Sequence, residues 1–415
     1  MQSHIHHLGR RHLEQRAEEV HLPNDIKFLI ACCKLQASQE ETEFILAFTK
    51  QDDLNIQRLL ELAGAHGIIP LIYKALKKLS DNGLLDAKDA VLNTFKDSYV
   101  QIARRNMLMS AELLRIMKLL EKSGINALAF KGPTLAQLAY GDITLRQFGD
   151  LDILVNERDA WEAAKTLIEH NYTSPFPLAM LENPLCLEAA KDFSLFNKSG
   201  NVHIELHWRL FEKKYNISIF SMSAGNLLQD VSINGSRLAT LSNEVLLVYL
   251  CLHGAKHAFE RLGWVCDIDR LLRSVPIDWE ICTAIAEKSH ALRSFYLGLS
   301  LAHQILHIEL PKEMYKVIDT SSISAMQMMV IQQWVNPKRL KNDMEKNWST
   351  YLYLGKLFDK KSDMFRFYVS ILFKISTSDC QSLLLPKRLT FLYPLLRPVR
   401  LIWKYVSQLI GRISQ

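Results

Sequence analysis

The stretch Gly149-Asp150-Leu151-Asp152-Ile153-Leu154-Val155 decides the fold of this chain. Its apolar half predicts a buried strand, yet the run begins with two carboxylates one residue apart. Side chains alternate between the two faces of a strand. Leu151, Ile153 and Val155 therefore share the core face, while Asp150 and Asp152 share the other. Two like charges at that spacing repel each other and are costly to desolvate. A divalent cation between them removes both problems, and Mg²⁺ is commonly held by one or two carboxylates together with substrate phosphates.

The surrounding sequence builds a small α/β unit outward from this strand. "INALAF" (125–130) predicts a short strand, "PTLAQLAY" (133–140) a helix with Pro133 in its first turn, and "RDAWEAAKTLIEHN" (158–171) an amphipathic helix. "FSLFN" (193–197) and "VHIELHW" (202–208) flank the turn formers Lys198-Ser199-Gly200-Asn201, which predicts an antiparallel hairpin. In the second of these, Val202, Ile204 and Leu206 face the core, and His203, Glu205 and His207 face the other way. If that strand lies beside "LDILV", Glu205 joins Asp150 and Asp152. Three acids on adjacent strands suit two metal ions that clamp the attacking and leaving oxygens of a phosphoryl or nucleotidyl transfer.

Upstream, Lys131-Gly132 leaves a strand and enters a helix. Gly132 permits close backbone approach, free N–H groups lie at the helix start, and Lys131 adds a positive charge. This is a cradle for a triphosphate, without being a Walker A sequence. Arg146, four residues before Asp150, is within reach of a phosphate as well. No one of these features is specific by itself; the weight lies in their conjunction.

Three segments carry a resemblance: "FKGPTLAQLAYGDITLRQFGDLDILV" (130–155), "VHIELHWRL" (202–210) and "LHGAKHAFERLGWVCDID" (252–269). Through them the chain resembles a bacterial nucleotidyltransferase branch of the polymerase-β-like nucleotidyltransferase superfamily, over roughly residues 25–300. The resemblance implies that Asp150 and Asp152 bind metal. It also implies that Glu205, where Asp is often found, binds a second metal and helps deprotonate the acceptor. A Gly-Ser usually binds the triphosphate in the superfamily; Lys131-Gly132 stands there in this chain, and the gap to Asp150 is longer than usual. In "HGAKHAFERLGW" the resemblance favours a site in which Lys256 and Arg261 meet the triphosphate, with His253 and His257 lining the pocket. Taken alone, the same residues read as helix packing. Trp208 and Trp264 read as core residues rather than base-stacking platforms.

The expected fold class is α+β, mainly helical, with a small polymerase-β-like α/β core flanked by helical regions. The expected divisions are a disordered N-terminus (1–24), an N-terminal helical region (25–123), the nucleotidyltransferase core (124–215), a C-terminal helical domain (240–345) and a helical basic tail (346–415). "SNEVLLVYLCLHGAKHAFERLG" (242–263) is expected to be one helix. The cofactor expected is Mg²⁺, as one or two ions, with Mn²⁺ as a substitute. The donor is an NTP, and the acceptor is an unidentified hydroxyl or phosphate on a small molecule, peptide or glycan, which the resemblance links to natural-product or surface-polysaccharide synthesis. Two other readings stay open: phosphoryl transfer at the same site, or a non-catalytic nucleotide-binding or membrane-docking partner of a biosynthetic complex.

Composition narrows the class. A content of 48% hydrophobic and 23% charged residues argues for a folded globular chain rather than a disordered one. The net charge of +6 is mildly basic and selects no partner. Lys and Arg are scattered, and there is no nucleic-acid-binding motif. Seven cysteines without a CxxC pair argue against a disulfide framework or zinc ribbon and for a reducing cytoplasm. The N-terminal stretch has no apolar h-region, and no transmembrane helix is expected. Residues 380–415 have no acid and six Lys or Arg. From Val399 through Ile402, Trp403, Val406, Leu409, Ile410 and Ile413 an apolar helical stripe is expected. It suits peripheral contact of 386–415 with the inner membrane face, or packing on the protein itself.

Overall fold

The computed structural model describes residues 22–211, 227–318, 320–335 and 348–373, with short pieces between 375 and 400. The chain is α+β and mainly helical, as the sequence leads one to expect. Among the described residues, four helices come first: α1 (Asn24–Cys33), α2 (Gln39–Thr49), α3 (Ile56–His66) and α4 (Ile69–Asp81). Several boundaries have a local cause. Ser38 and Glu41 form a capping box ahead of α2. Gly67, in the left-handed region, ends α3, and Pro70 sits in the first turn of α4. The long helix α5 (Ala90–Lys122) follows, capped by Asp89, and the chain turns away at Gly124 with φ +72°.

Among the described residues, the main sheet has five strands in the order β1-β2-β5-β4-β3. These are β1 (Ala127–Ala129), β2 (Asp150–Val155), β3 (Tyr172–Thr173), β4 (Asp192–Asn197) and β5 (His203–His207). β4 and β5 form the expected antiparallel hairpin, and β5 runs parallel to β2. One face of the sheet carries Leu151, Ile153, Val155, Ile204 and Leu206 into a core with Met109, Leu113, Ile116 and Leu120 of α5, and with α7 (Ala160–Glu169). Between β1 and β2 lies α6 (Gly132–Leu135), which widens into a π-helical turn over Ala136–Tyr140 and stops at Gly141.

The other face of the sheet is covered too. Leu128, Phe130 and Leu154 join a second core shared by the N-terminal helices and by the C-terminal helices α8 (Asn243–Lys256), α9 (Leu262–Ser274), α10 (Trp279–Lys288) and α11 (Leu292–Leu306). α8 is buried on nearly every side, which is why its sequence has no polar face. The N- and C-terminal helical regions therefore share one hydrophobic core and clasp the sheet.

Two details depart from the sequence reading. The segment 242–263 is not one helix: α8 ends at Lys256, Ala258 and Phe259 take positive φ of 51° and 44°, and α9 begins at Leu262. The cause is the Phe259 ring, which folds back over Gly254; a Cβ on Gly254 would lie 2.2 Å from it. A second hairpin, β6 (Leu228–Ile233) and β7 (Ser236–Leu241), turns at Asn234-Gly235, both at positive φ, in a stretch for which no element was expected.

No helix among the described residues is long and apolar enough to cross a membrane. Among the described residues, Cys32, Cys33, Cys251, Cys266 and Cys282 are free thiols and Cys186 is disulfide-bonded. Residues 1–21 and 401–415, and with them most of the N-terminal and amphipathic-tail expectations, lie outside the described residues.

Candidate active site

Strand register assembles the acids. Across the parallel pair β2–β5, Asp150 is opposite His203, Asp152 opposite Glu205 and Leu154 opposite His207. All six point to the face that α8 covers. Two groups of ligand atoms form there, each within 4.8 Å: Asp150, His203 and Glu205, and Asp152, Glu205 and His207. Glu205 belongs to both.

The loop that delivers Asp150 is held at four points. Asn106 on α5, fully buried, donates to the carbonyls of Ile143 (2.7 Å) and Arg146 (2.8 Å). Arg105 donates to Gly149 O at 3.2 Å, and the Tyr99 and Thr144 hydroxyls meet at 2.9 Å. Arg146 makes a two-pronged ion pair with Asp267 of α9, Nε–Oδ1 2.8 Å and Nη2–Oδ2 3.0 Å, and the Tyr140 hydroxyl donates to the same carboxylate. The guanidinium read from sequence as a phosphate contact is thus occupied in anchoring the loop to the C-terminal helices. Gly132 adopts φ +51° and passes so close to β2 that a Cβ there would be 3.2 Å from the Asp150 carbonyl.

Charge at the site is unevenly compensated. Asp152 is 2% exposed. Lys131 Nζ lies 2.8 Å from its Oδ1, and His207 Nε2 lies 3.2 Å from the same oxygen and 3.2 Å from Glu205 Oε2. Burial would raise the Asp152 carboxyl, but Lys131 and the His207 hydrogen bond hold it far below the usual range. Burial would raise Glu205 as well, but the His207 hydrogen bond brings it down to about 2 in spite of repulsion from Asp152. Burial would lower Lys131, and the Asp152 carboxylate reverses this, so the ammonium is held well above its ordinary value. Asp150 behaves oppositely to the other acids: burial and the Asp152 charge raise it. Asp152 Oδ2 is buried with no hydrogen-bond partner.

The roof is α8 and the start of α9. Tyr249 stacks against His253 (5.7 Å between centroids), lies edge-on to Phe130, and has the Lys131 ammonium 5.8 Å from its ring centre. His253 and His257 both pack against Trp264, and the Arg261 guanidinium lies 5.5 Å from that ring's centre. Trp264 is therefore enclosed by the motif's own residues, and Trp208 is buried with its Nε1–H on Leu187 O. Burial lowers His257 to about 3, aided by the positive charges of Lys256, Lys131, Lys191 and Arg261. His253 is pushed well below its usual value by burial, Lys131 and His257. The neutral His257 ring thus lies in the positive field of four cations, of which Lys131 and Lys191 are themselves ion-paired with Asp152 and Asp192.

Four residues of this site carry no role in the sequence reading. His203 and His207 fall on the acid face by simple alternation. Lys191, ion-paired with Asp192, and Tyr249 reach the site only through tertiary packing.

A small mixed sheet with acids paired across two parallel strands, a glycine turn before it and a helical roof defines a nucleotidyltransferase-like α/β core. The chain belongs to the family described as uncharacterised nucleotidyltransferase, which matches residues 52–307. Among solved structures, it is similar to the crystal structure of an antigenic nucleotidyltransferase-like protein from Paracoccidioides brasiliensis. That likeness is 16% identity over 44% of this chain and 86% of the other, with a TM-score of 0.28. No curated protein matches the chain.

Proposed function

We propose that the protein is a metal-dependent nucleotidyltransferase that moves a nucleotidyl group from an NTP to a hydroxyl or phosphate on an acceptor and releases pyrophosphate. One observation carries this reading: acids converge from two adjacent strands, with the Lys131 ammonium 2.8 Å from Asp152 at their centre and the Lys191 ammonium paired with Asp192 on the next strand. A metal-bound triphosphate needs both halves.

The donor set fits a divalent cation. Asp152 Oδ2 is a buried anionic oxygen without a partner, and Asp150 is destabilised by burial and by its neighbour's charge. Both defects would disappear beside a cation. Asp150, Asp152 and Glu205 would hold Mg²⁺, which when bound supplies charge neutralisation at the phosphates and a more acidic acceptor hydroxyl. Lys131, carried on the turn before α6, would contact the donor phosphates. Lys191, Lys256 and Arg261 add a positive field that favours the triphosphate over neutral ligands. Arg146 acts at one remove, by holding the loop that ends in Asp150. Glu205 is ionised at neutral pH and can accept the acceptor's proton, although a carboxylate of so low a pKa is a weak base.

The reaction class is tested by giving the protein an NTP labelled on its α-phosphate, Mg²⁺ and a bacterial cell extract as the acceptor pool. Label should enter an acceptor as pyrophosphate accumulates, and Asp152→Asn should stop both. Release of NDP instead would mean phosphoryl transfer, and no turnover under any NTP would favour a binding role.

A further inference from the structure

We propose that the metal centre is a mixed carboxylate–imidazole site in which His207 is a nitrogen ligand beside Asp152 and Glu205. Such a site takes a divalent transition ion, Mn²⁺ being the probe of choice, in preference to Mg²⁺. This rests on the metal-dependent reading above and specifies the class of ion.

Three observations carry it. First, His207 Nε2 is 3.2 Å from both Asp152 Oδ1 and Glu205 Oε2. Metal–ligand bonds of about 2.1 Å in an octahedron put adjacent ligand atoms roughly 3 Å apart. The imidazole nitrogen therefore stands at ligand spacing from both carboxylates, and all three groups offer ligand atoms within 4.8 Å of one another; the Lys131 ammonium, 2.8 Å from Asp152 Oδ1, leaves Oδ2 of that carboxylate for the ion. Second, the remaining ring nitrogen, Nδ1, is buried with no hydrogen-bond partner; the Asp192 carboxylate, on the strand that pairs with β5, stands 3.8 Å away, beyond hydrogen-bond range and within reach of a small shift of the ring. A metal-bound histidine characteristically presents its other ring nitrogen to a carboxylate, which fixes the ring. The Phe130 ring, edge-on at 5.2 Å, restricts it from another side. Third, His207 is 1% exposed and Asp152 2%, and Asp152 Oδ2 has no hydrogen-bond partner. A buried carboxylate oxygen left unbonded beside a fully enclosed imidazole is a costly arrangement unless an ion completes it.

The second group repeats the pattern. His203 stands with Asp150 and Glu205, its ring stacked on Phe196 at 4.6 Å, and its Nε2 is buried with no hydrogen-bond partner. Each group of potential ligands thus contains one imidazole. Imidazole nitrogen suits first-row transition ions, whereas Mg²⁺ selects oxygen and gives up its waters reluctantly.

The test uses the full chain with Mn²⁺ and no nucleotide. Electron spin-echo modulation of the bound Mn²⁺ should show directly coupled imidazole nitrogen. The coupling should weaken or vanish in His207→Ala and persist in His253→Ala. Because His207 is buried, His207→Gln, which keeps a polar side chain of similar size in its place, provides a second reading. It should lose the imidazole nitrogen coupling and weaken Mn²⁺ binding, with little change in Mg²⁺ binding. Bound Mn²⁺ with no nitrogen coupling would overturn the assignment and leave an all-carboxylate site standing. Coupling that survives His207→Ala and is lost in His203→Ala would also overturn it. No Mn²⁺ binding at all would overturn both this inference and the metal-dependent reading.

Discussion

His257 offers a perturbation whose size can be worked out. It is held down to about 3 by burial and by the cations Lys256, Lys131, Lys191 and Arg261; His66, buried near Arg261, is held down to about 4. An unfolded histidine titrates near 6.5. A group with a depressed folded value contributes stability that is complete above its unfolded value and is lost as the pH falls below it. Between pH 7 and pH 5 the unfolded chain takes up most of a proton at each position, and the folded chain takes up almost none. Integrating that difference gives about 2 kcal/mol lost at each histidine, or about 4 kcal/mol for the pair. His253 acts in the same direction. His207 acts in the other: burial and Lys191 press it down, but hydrogen bonds to Asp152 and Glu205 raise it, so its contribution is present at low pH and fades as the pH rises. Comparing wild type with His257→Gln cancels these other terms. Urea unfolding followed by circular dichroism at the two pH values should show the variant losing about 2 kcal/mol less than wild type. Equal losses, within about 0.5 kcal/mol, would refute the placement of His257 as a half-buried neutral ring among cations.

Other expectations are smaller in scope. Gly254→Ala puts a methyl 2.2 Å from the Phe259 ring and should cost about 1–3 kcal/mol by overpacking, read as a lower urea midpoint. Asp267→Ala strands the buried Arg146 guanidinium and should cost about 3–5 kcal/mol; the double variant Arg146→Met with Asp267→Ala should recover part of that loss in the same unfolding experiment. Gly132→Ala forces a left-handed alanine, costing about 1–2 kcal/mol, and presses on the Asp150 carbonyl. Its Mg²⁺-dependent NTP binding, measured by calorimetry, should fall by more than that stability loss explains.

The α/β core was legible in the sequence because its signals are local. Alternation along "DLDILV" and "VHIELH" sorted the carboxylates from the core residues before any tertiary information, and the turn formers at 198–201 marked the hairpin that brings Glu205 to β2. What stayed hidden depends on distant partners. The break after Lys256 comes from Phe259 lying back on Gly254, which helical periodicity does not register. Arg146 looked available because its partner, Asp267, is 121 residues away. Lys191 and Tyr249 have no motif around them; only packing of β4 and α8 over the acids brings them in. The β6–β7 hairpin is a different case, since Asn234-Gly235 is a strong turn signal between alternating residues and could have been read. The imidazoles were legible in position but not in role, because neighbouring acids point first to oxygen ligands alone.

Everything above turns on a metal-dependent triphosphate site between the acid face of the sheet and the roof formed by α8. The decisive experiment is isothermal titration of each NTP into the protein with Mg²⁺ or Mn²⁺ and again after EDTA, for wild type and Asp150→Asn. Such a site requires saturable binding of at least one NTP that depends on the ion and is lost in the variant, while the variant stays folded. Binding that is indifferent to the ion and to Asp150, or no binding of any NTP, would contradict it.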